Sequence, residues 1–216
     1  MYGKSASPLI LEADGREMVV VTGGKKGPTL QAYDRLTGEP VWHAGDDQAS
    51  YASPVVATLA GQRQIVSLNH NTVTGHDPGT GAILWTWKWP ARMPKSAVPQ
   101  PFGDNQVFVS ASYGMGTALL EVKSEGGGLA VNKLWKNLQM KTKFSSVCIK
   151  DGFAYGLDAG KLACLDVATG KRKWRGTNSG YGQNLLIGDL LLVQSERGYV
   201  ALVKADPEKF EEVARL

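Results

Sequence analysis

The stretch DRLTGEPVW, residues 34–42, decides the fold, because the chain repeats its pattern twice more. The second copy is DPGTGAILW, residues 77–85, and the third is DVATGKRKW, residues 166–174. Each copy reads Asp-x-x-Thr-Gly-x-x-x-Trp. A pattern that recurs every 20–50 residues or so indicates a fold built by stacking copies of one small structural unit.

The repeated pattern predicts a tight turn followed by a strand that carries a tryptophan. The Asp carboxylate can accept backbone N–H groups within the turn, and Gly supplies a positive φ that a β-branched residue disfavours. The indole can then pack against the next repeat and donate its N–H to a carbonyl. Trp135 occupies the same place in an incomplete copy. We therefore assign structural roles to Asp34, Gly38, Trp42, Asp77, Gly81, Trp85, Trp135, Asp166, Gly170 and Trp174.

Short apolar and β-branched runs, separated by Gly, Asp and Asn, fill the rest of the chain in groups of four. No segment keeps a helical period, and we assign even EEVARL, residues 211–216, to a strand because of its place in the repeat. Four short strands per repeat predict an all-β β-propeller of four-stranded antiparallel blades. The five expected blades span approximately residues 5–45, 51–90, 97–137, 144–177 and 182–216.

These repeats resemble the tryptophan-docking repeats of the PQQ-like, quinoprotein-type β-propellers. The resemblance covers nearly the whole chain, although the third repeat has a longer turn and the fifth has Lys204 in place of Asp and no Trp. Propellers of this kind usually close with seven or eight blades. We therefore expect five blades in an open arc, with end blades that could support self-association.

One branch of the family oxidises alcohols or sugars with pyrroloquinoline quinone (PQQ) and calcium, and places an adjacent Cys-Cys pair against the quinone. Here Cys148 and Cys164 are not adjacent. They are expected on the first and third strands of one blade, beyond disulfide reach. No Glu, Asn and Asp set can be assigned to calcium. A fragment of a PQQ-dependent dehydrogenase is therefore the alternative, and no catalytic, cofactor or metal residue is assigned.

The other branch consists of binding propellers, among them outer-membrane assembly lipoproteins and uncharacterised PQQ-like repeat proteins. Resemblance to this branch implies a non-catalytic scaffold, exported from the cytoplasm, that binds a protein or peptide. The net charge of +4 is too small to argue for nucleic acid. No apolar run reaches the roughly 20 residues of a membrane helix, and residues 1–10 have no recognisable export signal.

Two of the three histidines, His70 and His76, flank a tight turn. A metal site would need further ligands converging on them, and the sequence indicates none. We interpret His43, His70 and His76 as ordinary surface or core residues.

Binding sites of propellers collect on the loops that join the second strand to the third and each blade to the next. In this chain those loops combine basic residues with methionines and aromatic residues. We expect an acidic or extended partner there. The candidate partner-binding residues are Lys25, Lys26, Arg92, Lys95, Lys141 and Lys143, and the accompanying apolar residues are Trp89, Met93, Tyr113, Met115, Met140, Phe144 and Tyr181.

Overall fold

The computed structural model describes residues 5–24 and 27–216, and every regular element in these ranges is a β-strand. The strands form five four-stranded sheets, each of which uses four consecutive strands in sequence order. The all-β fold of four-stranded antiparallel blades is therefore confirmed. The last segment of the chain is a strand, as predicted, and not a helix.

The strands of the first three sheets follow the chain without crossovers. The first sheet contains β1 (Leu9–Ala13), β2 (Arg16–Thr22), β3 (Leu30–Asp34) and β4 (Pro40–Ala44). The second contains β5 (Val55–Leu59), β6 (Gln62–Leu68), β7 (Thr72–His76) and β8 (Ile83–Lys88). The third contains β9 (Gln100–Phe102), β10 (Gln106–Ala111), β11 (Gly116–Glu125) and β12 (Gly128–Asn137).

The last two sheets repeat the same meander. The fourth contains β13 (Cys148–Lys150), β14 (Phe153–Asp158), β15 (Lys161–Asp166) and β16 (Arg172–Asn178). The fifth contains β17 (Gln183–Ile187), β18 (Leu190–Gln194), β19 (Val200–Lys204) and β20 (Glu212–Arg215).

The chain divides into two compact units. The first unit comprises Met1–Val107 with Glu121–Asn132, and the second comprises Phe108–Leu120 with Lys133–Leu216. The first two sheets thus belong to the first unit and the last two to the second, while the strands of the third sheet contribute to both.

The first strands of the first four sheets begin later than the sequence predicted, and the first and third sheets share a physical reason. We expected the first strands of the first and third blades to begin at residues 5 and 97, whereas β1 begins at Leu9 and β9 at Gln100. A proline, Pro8 or Pro99, directly precedes each of these starts. Proline has no backbone N–H to donate to the neighbouring strand, so the ladder begins after it.

The repeated turn connects the third and fourth strands of a sheet. In the first sheet, Asp34 Oδ1 accepts the backbone N–H groups of Leu36 at 3.0 Å and Thr37 at 2.9 Å. These bonds hold the pKa of the Asp34 carboxyl below its usual value, because they stabilise the ionised form. The glycine N–H then donates to the carbonyl of the same Asp at 2.9 Å, which closes the turn. Equivalent bonds form at Asp77 and Asp166.

The cores lie between successive sheets. In the first unit, Val20, Leu30 and Trp42 of the first sheet pack in one cluster with Ile65 of the second. In the second unit, a corresponding cluster joins the fourth sheet to the fifth. The first sheet therefore buries apolar side chains against the second, and the fourth against the fifth, as stacked blades require.

Both cysteines are free thiols, and β14 separates their strands within the fourth sheet. Cys148 and Cys164 face the same residue of that intervening strand, Tyr155. Burial raises the pKa of the Cys164 thiol to about 12, so this thiol stays protonated at neutral pH. The two cysteines thus lie on the first and third strands of one sheet, as the sequence predicted.

Candidate partner-binding site

Three of the four repeat tryptophans donate to a carbonyl in the turn region of the following sheet. The indole N–H of Trp42 donates to Pro78 O at 3.1 Å. Trp135 donates to Val167 O at 2.9 Å, and Trp174 donates to Asp206 O at 2.7 Å. Each of these three indoles therefore links its sheet to the following sheet of the same unit by a hydrogen bond.

Trp85 departs from the predicted arrangement. It is only 4% exposed, but its indole N–H donates to the side-chain Oε1 of Gln64, in its own sheet. The physical reason lies in the third sheet, where two ten-residue strands replace the short Asp-x-x-Thr-Gly turn. Without that turn carbonyl, a buried side-chain amide satisfies the indole.

In two of the turns, the glycine also leaves room for the tryptophan ring of the preceding sheet. A Cβ added to Gly81 would lie 2.5 Å from Cε3 of Trp42. A Cβ added to Gly170 would lie 2.8 Å from the same atom of Trp135. At Gly38 an added Cβ would meet nothing within 4 Å. The first-sheet turn thus needs its glycine for backbone conformation alone.

The first unit contains four of the candidate basic residues, of which the structure describes Arg92 and Lys95. Lys25 and Lys26 lie outside the described residues. Arg92 and Met93 are exposed. Lys95, which we expected on the exposed loop face, is only 2% exposed.

The buried ammonium of Lys95 has protein partners in place of water. It donates to the carbonyl oxygens of Asn69 and His70, both at 2.9 Å, and of Trp89 at 2.5 Å. It also lies 5.0 Å from the ring centre of Trp89. A buried charge is stable only with such hydrogen bonds. Lys95 therefore links the loop at Asn69 and His70 to its own loop by hydrogen bonds, and its ammonium is not available to a partner.

The histidines do not form a metal site in residues 5–24 and 27–216, where no cluster of three His, Cys, Asp or Glu side chains could hold an ion. His43 is exposed and His70 half-buried. His76 is buried with both ring nitrogens engaged. Nδ1 lies 3.0 Å from the Gly81 carbonyl, to which it must donate, and Nε2 lies 2.8 Å from the Thr74 hydroxyl. His76 is therefore a neutral core residue.

We expect His76 to make the protein less stable in mild acid. Burial holds the pKa of His76 below 6.5, so the unfolded chain binds a proton more readily than the folded one. As the pH falls below about 6.5, the free energy of unfolding should decrease by up to about 1.4 kcal/mol per pH unit. Denaturant titrations between pH 7 and pH 5 measure this slope. His76→Gln should flatten it, whereas His43→Gln should leave it unchanged. Equal slopes in all three proteins would contradict the assignment.

The second unit carries a cluster of one lysine and three aromatic rings, Lys143, Tyr113, Phe144 and Tyr181, which we name the lysine–aromatic cluster. The Lys143 ammonium lies 4.5 Å from the ring centre of Tyr181, 4.9 Å from that of Phe144 and 5.6 Å from that of Tyr113. Tyr113 and Phe144 are 50% and 55% exposed. The cluster thus presents a positive charge beside accessible apolar surface.

Hydrogen bonds fix the loop that carries Lys143 and Phe144. The Phe144 carbonyl accepts from Gln183 Nε2 at 2.7 Å. The Thr142 and Ser110 hydroxyls are 2.7 Å apart, and the Lys141 carbonyl accepts the N–H of Ala159 at 3.1 Å. The loop is therefore held by β10, by β17 and by the turn at Ala159 rather than by a helix or strand of its own.

Three cationic side chains lie close to the buried carboxylate of Asp158, near this loop. The carboxylate accepts the backbone N–H of Lys141 at 3.0 Å. Three cations also lie within 4 Å of it: Lys141 Nζ at 3.6 Å, Arg172 Nη1 at 3.4 Å and Arg175 Nε at 3.8 Å. One negative charge thus faces three positive ones, which leaves an excess of positive charge at this carboxylate.

The sequence identified part of this site. Lys141, Lys143, Tyr113, Phe144 and Tyr181 were expected on the loops, whereas Met140 is buried rather than exposed. The sequence analysis missed Leu138, which is 64% exposed at the start of the same loop. It also missed the two arginines at Asp158, although the basic run KRKWR, residues 171–175, was a visible signal.

Consecutive four-stranded antiparallel sheets, three of which donate an indole N–H to a carbonyl of the following sheet, define a propeller-type repeat protein. The chain belongs to the family of the outer membrane protein assembly factor BamB, whose family model matches residues 3–176. No curated protein sequence matches the chain.

Three solved structures share the fold. BamB from Moraxella catarrhalis has a TM-score of 0.64 at 17% identity, covering 100% of this chain and 63% of its own. The computationally designed Ika8 protein gives 0.65 at 13% identity, covering 96% and 60%. A protein of unknown function from Bacteroides caccae gives 0.54 at 14% identity, covering 92% and 72%. The chain thus spans less than two thirds of the length of the first two structures.

The described residues include no helix that is long and apolar enough to cross a membrane.

Proposed function

We propose that the chain is a non-catalytic propeller scaffold that binds a protein partner through the loops of its second unit and works outside the cytoplasm. The family supports this proposal, because the matched model is named for a factor in outer membrane protein assembly. The observation that carries it is the exposed apolar and basic surface at Leu138, Lys141 and the lysine–aromatic cluster.

The composition of this surface suits a protein interface. Aromatic residues are enriched at the centres of such interfaces, and positive charge on the rim increases the rate of encounter with an acidic partner. Three large apolar side chains there, Leu138, Tyr113 and Phe144, are at least half exposed. Exposed apolar groups that lie together, as Tyr113 and Phe144 do around Lys143, mark interaction sites more often than single exposed ones.

Photo-cross-linking tests the proposal. Leu138 is replaced by the photoreactive residue p-benzoylphenylalanine, and the protein is irradiated in the cells that naturally produce it. We expect a discrete adduct with another protein. The matched control places the same group at Leu36, which is 80% exposed in a turn of the first unit. The same adduct pattern from both positions, or no adduct from position 138, would contradict the proposal.

We expect no quinone chemistry from the purified chain. A dehydrogenase of this fold would hold calcium beside PQQ, and in the part of the chain that the structure describes no group of three acidic, His or Cys side chains forms such a site. Dye-linked oxidation of alcohols and sugars, assayed with added PQQ and calcium, should stay at background. Quinone-dependent turnover would instead favour the alternative, a fragment of a dehydrogenase.

A further inference from the structure

The ammonium of Lys143 is held by aromatic rings and not by a carboxylate. Three ring centres lie within 6 Å of it. Among residues 5–24 and 27–216, no Asp or Glu oxygen comes within salt-bridge distance of Nζ. Lys141, two positions earlier, differs because it pairs with Asp158 at 3.6 Å. Lys143 therefore keeps its capacity to bind an anion.

The rings also lower the entropic cost that Lys143 incurs when it binds such an anion. A lysine side chain in water loses considerable rotamer freedom when it pairs with a charge. Contact with three rings has already restricted Lys143, so pairing loses less entropy than it would at a free surface lysine. The half-exposed faces of Tyr113 and Phe144 provide apolar surface next to the charge.

The backbone of Tyr113 points to a role for its ring. Its φ is +54°, in the left-handed region that Gly and Asn adopt far more readily than an aromatic residue. A turn shaped only by backbone geometry would favour one of those two residues here. The ring is half exposed, so burial in the core does not offset this strain.

We propose that the lysine–aromatic cluster recognises an acidic side chain next to an apolar residue in an extended segment of the partner protein. This inference rests on the proposed function and specifies the chemistry of its site. The partner's carboxylate pairs with the Lys143 ammonium, and its apolar neighbour packs on Tyr113 and Phe144. The excess of cations around Asp158 attracts the acidic segment to this surface.

Selection from a library of short random peptides displayed on phage tests the inference. Peptides retained by the wild-type protein and not by Lys143→Gln should carry Asp or Glu beside an aromatic or aliphatic residue. In fluorescence anisotropy, Lys143→Gln should weaken their binding by about tenfold or more, because a charge-assisted contact is lost. Lys143→Arg keeps the charge and should restore most of the affinity. Lys171→Gln, at an exposed lysine of the same unit, should change nothing.

Tyr113→Asn separates binding from folding. Asn suits the left-handed backbone, so the melting temperature should stay the same or rise, while peptide affinity falls. A lower melting temperature with unchanged affinity would overturn the inference by giving the ring a purely structural role. Failure to enrich acidic peptides, or acidic peptides that bind Lys143→Gln equally well, would also overturn it.

If position 138 still cross-links a partner in those cases, the scaffold function stands and only this recognition site fails. If no adduct forms either, the proposed function fails as well.

Discussion

Trp85→Ala is expected to lower the free energy of unfolding by about 3–5 kcal/mol, the usual cost of removing a buried tryptophan. The ring is 4% exposed, and its loss leaves a cavity. It also removes the donor to Gln64 Oε1, a buried acceptor. Trp42→Ala should cost a comparable amount, because Trp42 packs in a core cluster that joins the first two sheets.

Chemical denaturation of the purified variants measures these effects through the unfolding midpoint and its slope. His43→Ala is the control, because His43 is exposed on the same strand as Trp42. It should stay within about 0.5 kcal/mol of the parent, as surface substitutions usually do. Midpoints of both tryptophan variants equal to that of the parent would show that the rings do not contribute to the packing between sheets.

Gly81→Ala should destabilise the protein by about 1–3 kcal/mol more than Gly38→Ala, because only Gly81 lies under a tryptophan ring. Both glycines close the same turn with nearly the same φ, +75° and +74°. Both substitutions therefore place an alanine in the left-handed region, at a similar strain of about 1–2 kcal/mol. The difference between them isolates the contact with Trp42.

A double-mutant cycle completes this test. In a Trp42→Ala background the ring is gone, so Gly81→Ala should then cost no more than Gly38→Ala. Thermal or denaturant unfolding of the four proteins gives the coupling energy between Gly81 and Trp42. Equal costs for Gly81→Ala with and without the tryptophan would mean that the ring does not rest on the turn.

The candidate site could be only partly predicted from the sequence. Lys141 and Lys143 were placed on loops because loops follow directly from where strands end. Lys95 was assigned to the same face, but its side chain folds inward onto three carbonyl oxygens, two of which, those of Asn69 and His70, belong to a different loop. The direction taken by a long flexible side chain depends on which acceptors the fold brings near it, and a single sequence does not show those acceptors.

By itself, the sequence determined the architecture of this protein. The turn is local chemistry: an Asp carboxylate, two backbone N–H groups and a glycine act within five residues, so they can be read directly from DRLTG, residues 34–38. The period of the turns then determined four strands per sheet. Only the tertiary structure decided the acceptor of Trp85, the burial of Lys95 and the assembly of three cations around Asp158. Each of these depends on groups from separate strands or loops, whose approach is set by sheet packing and not by any local pattern.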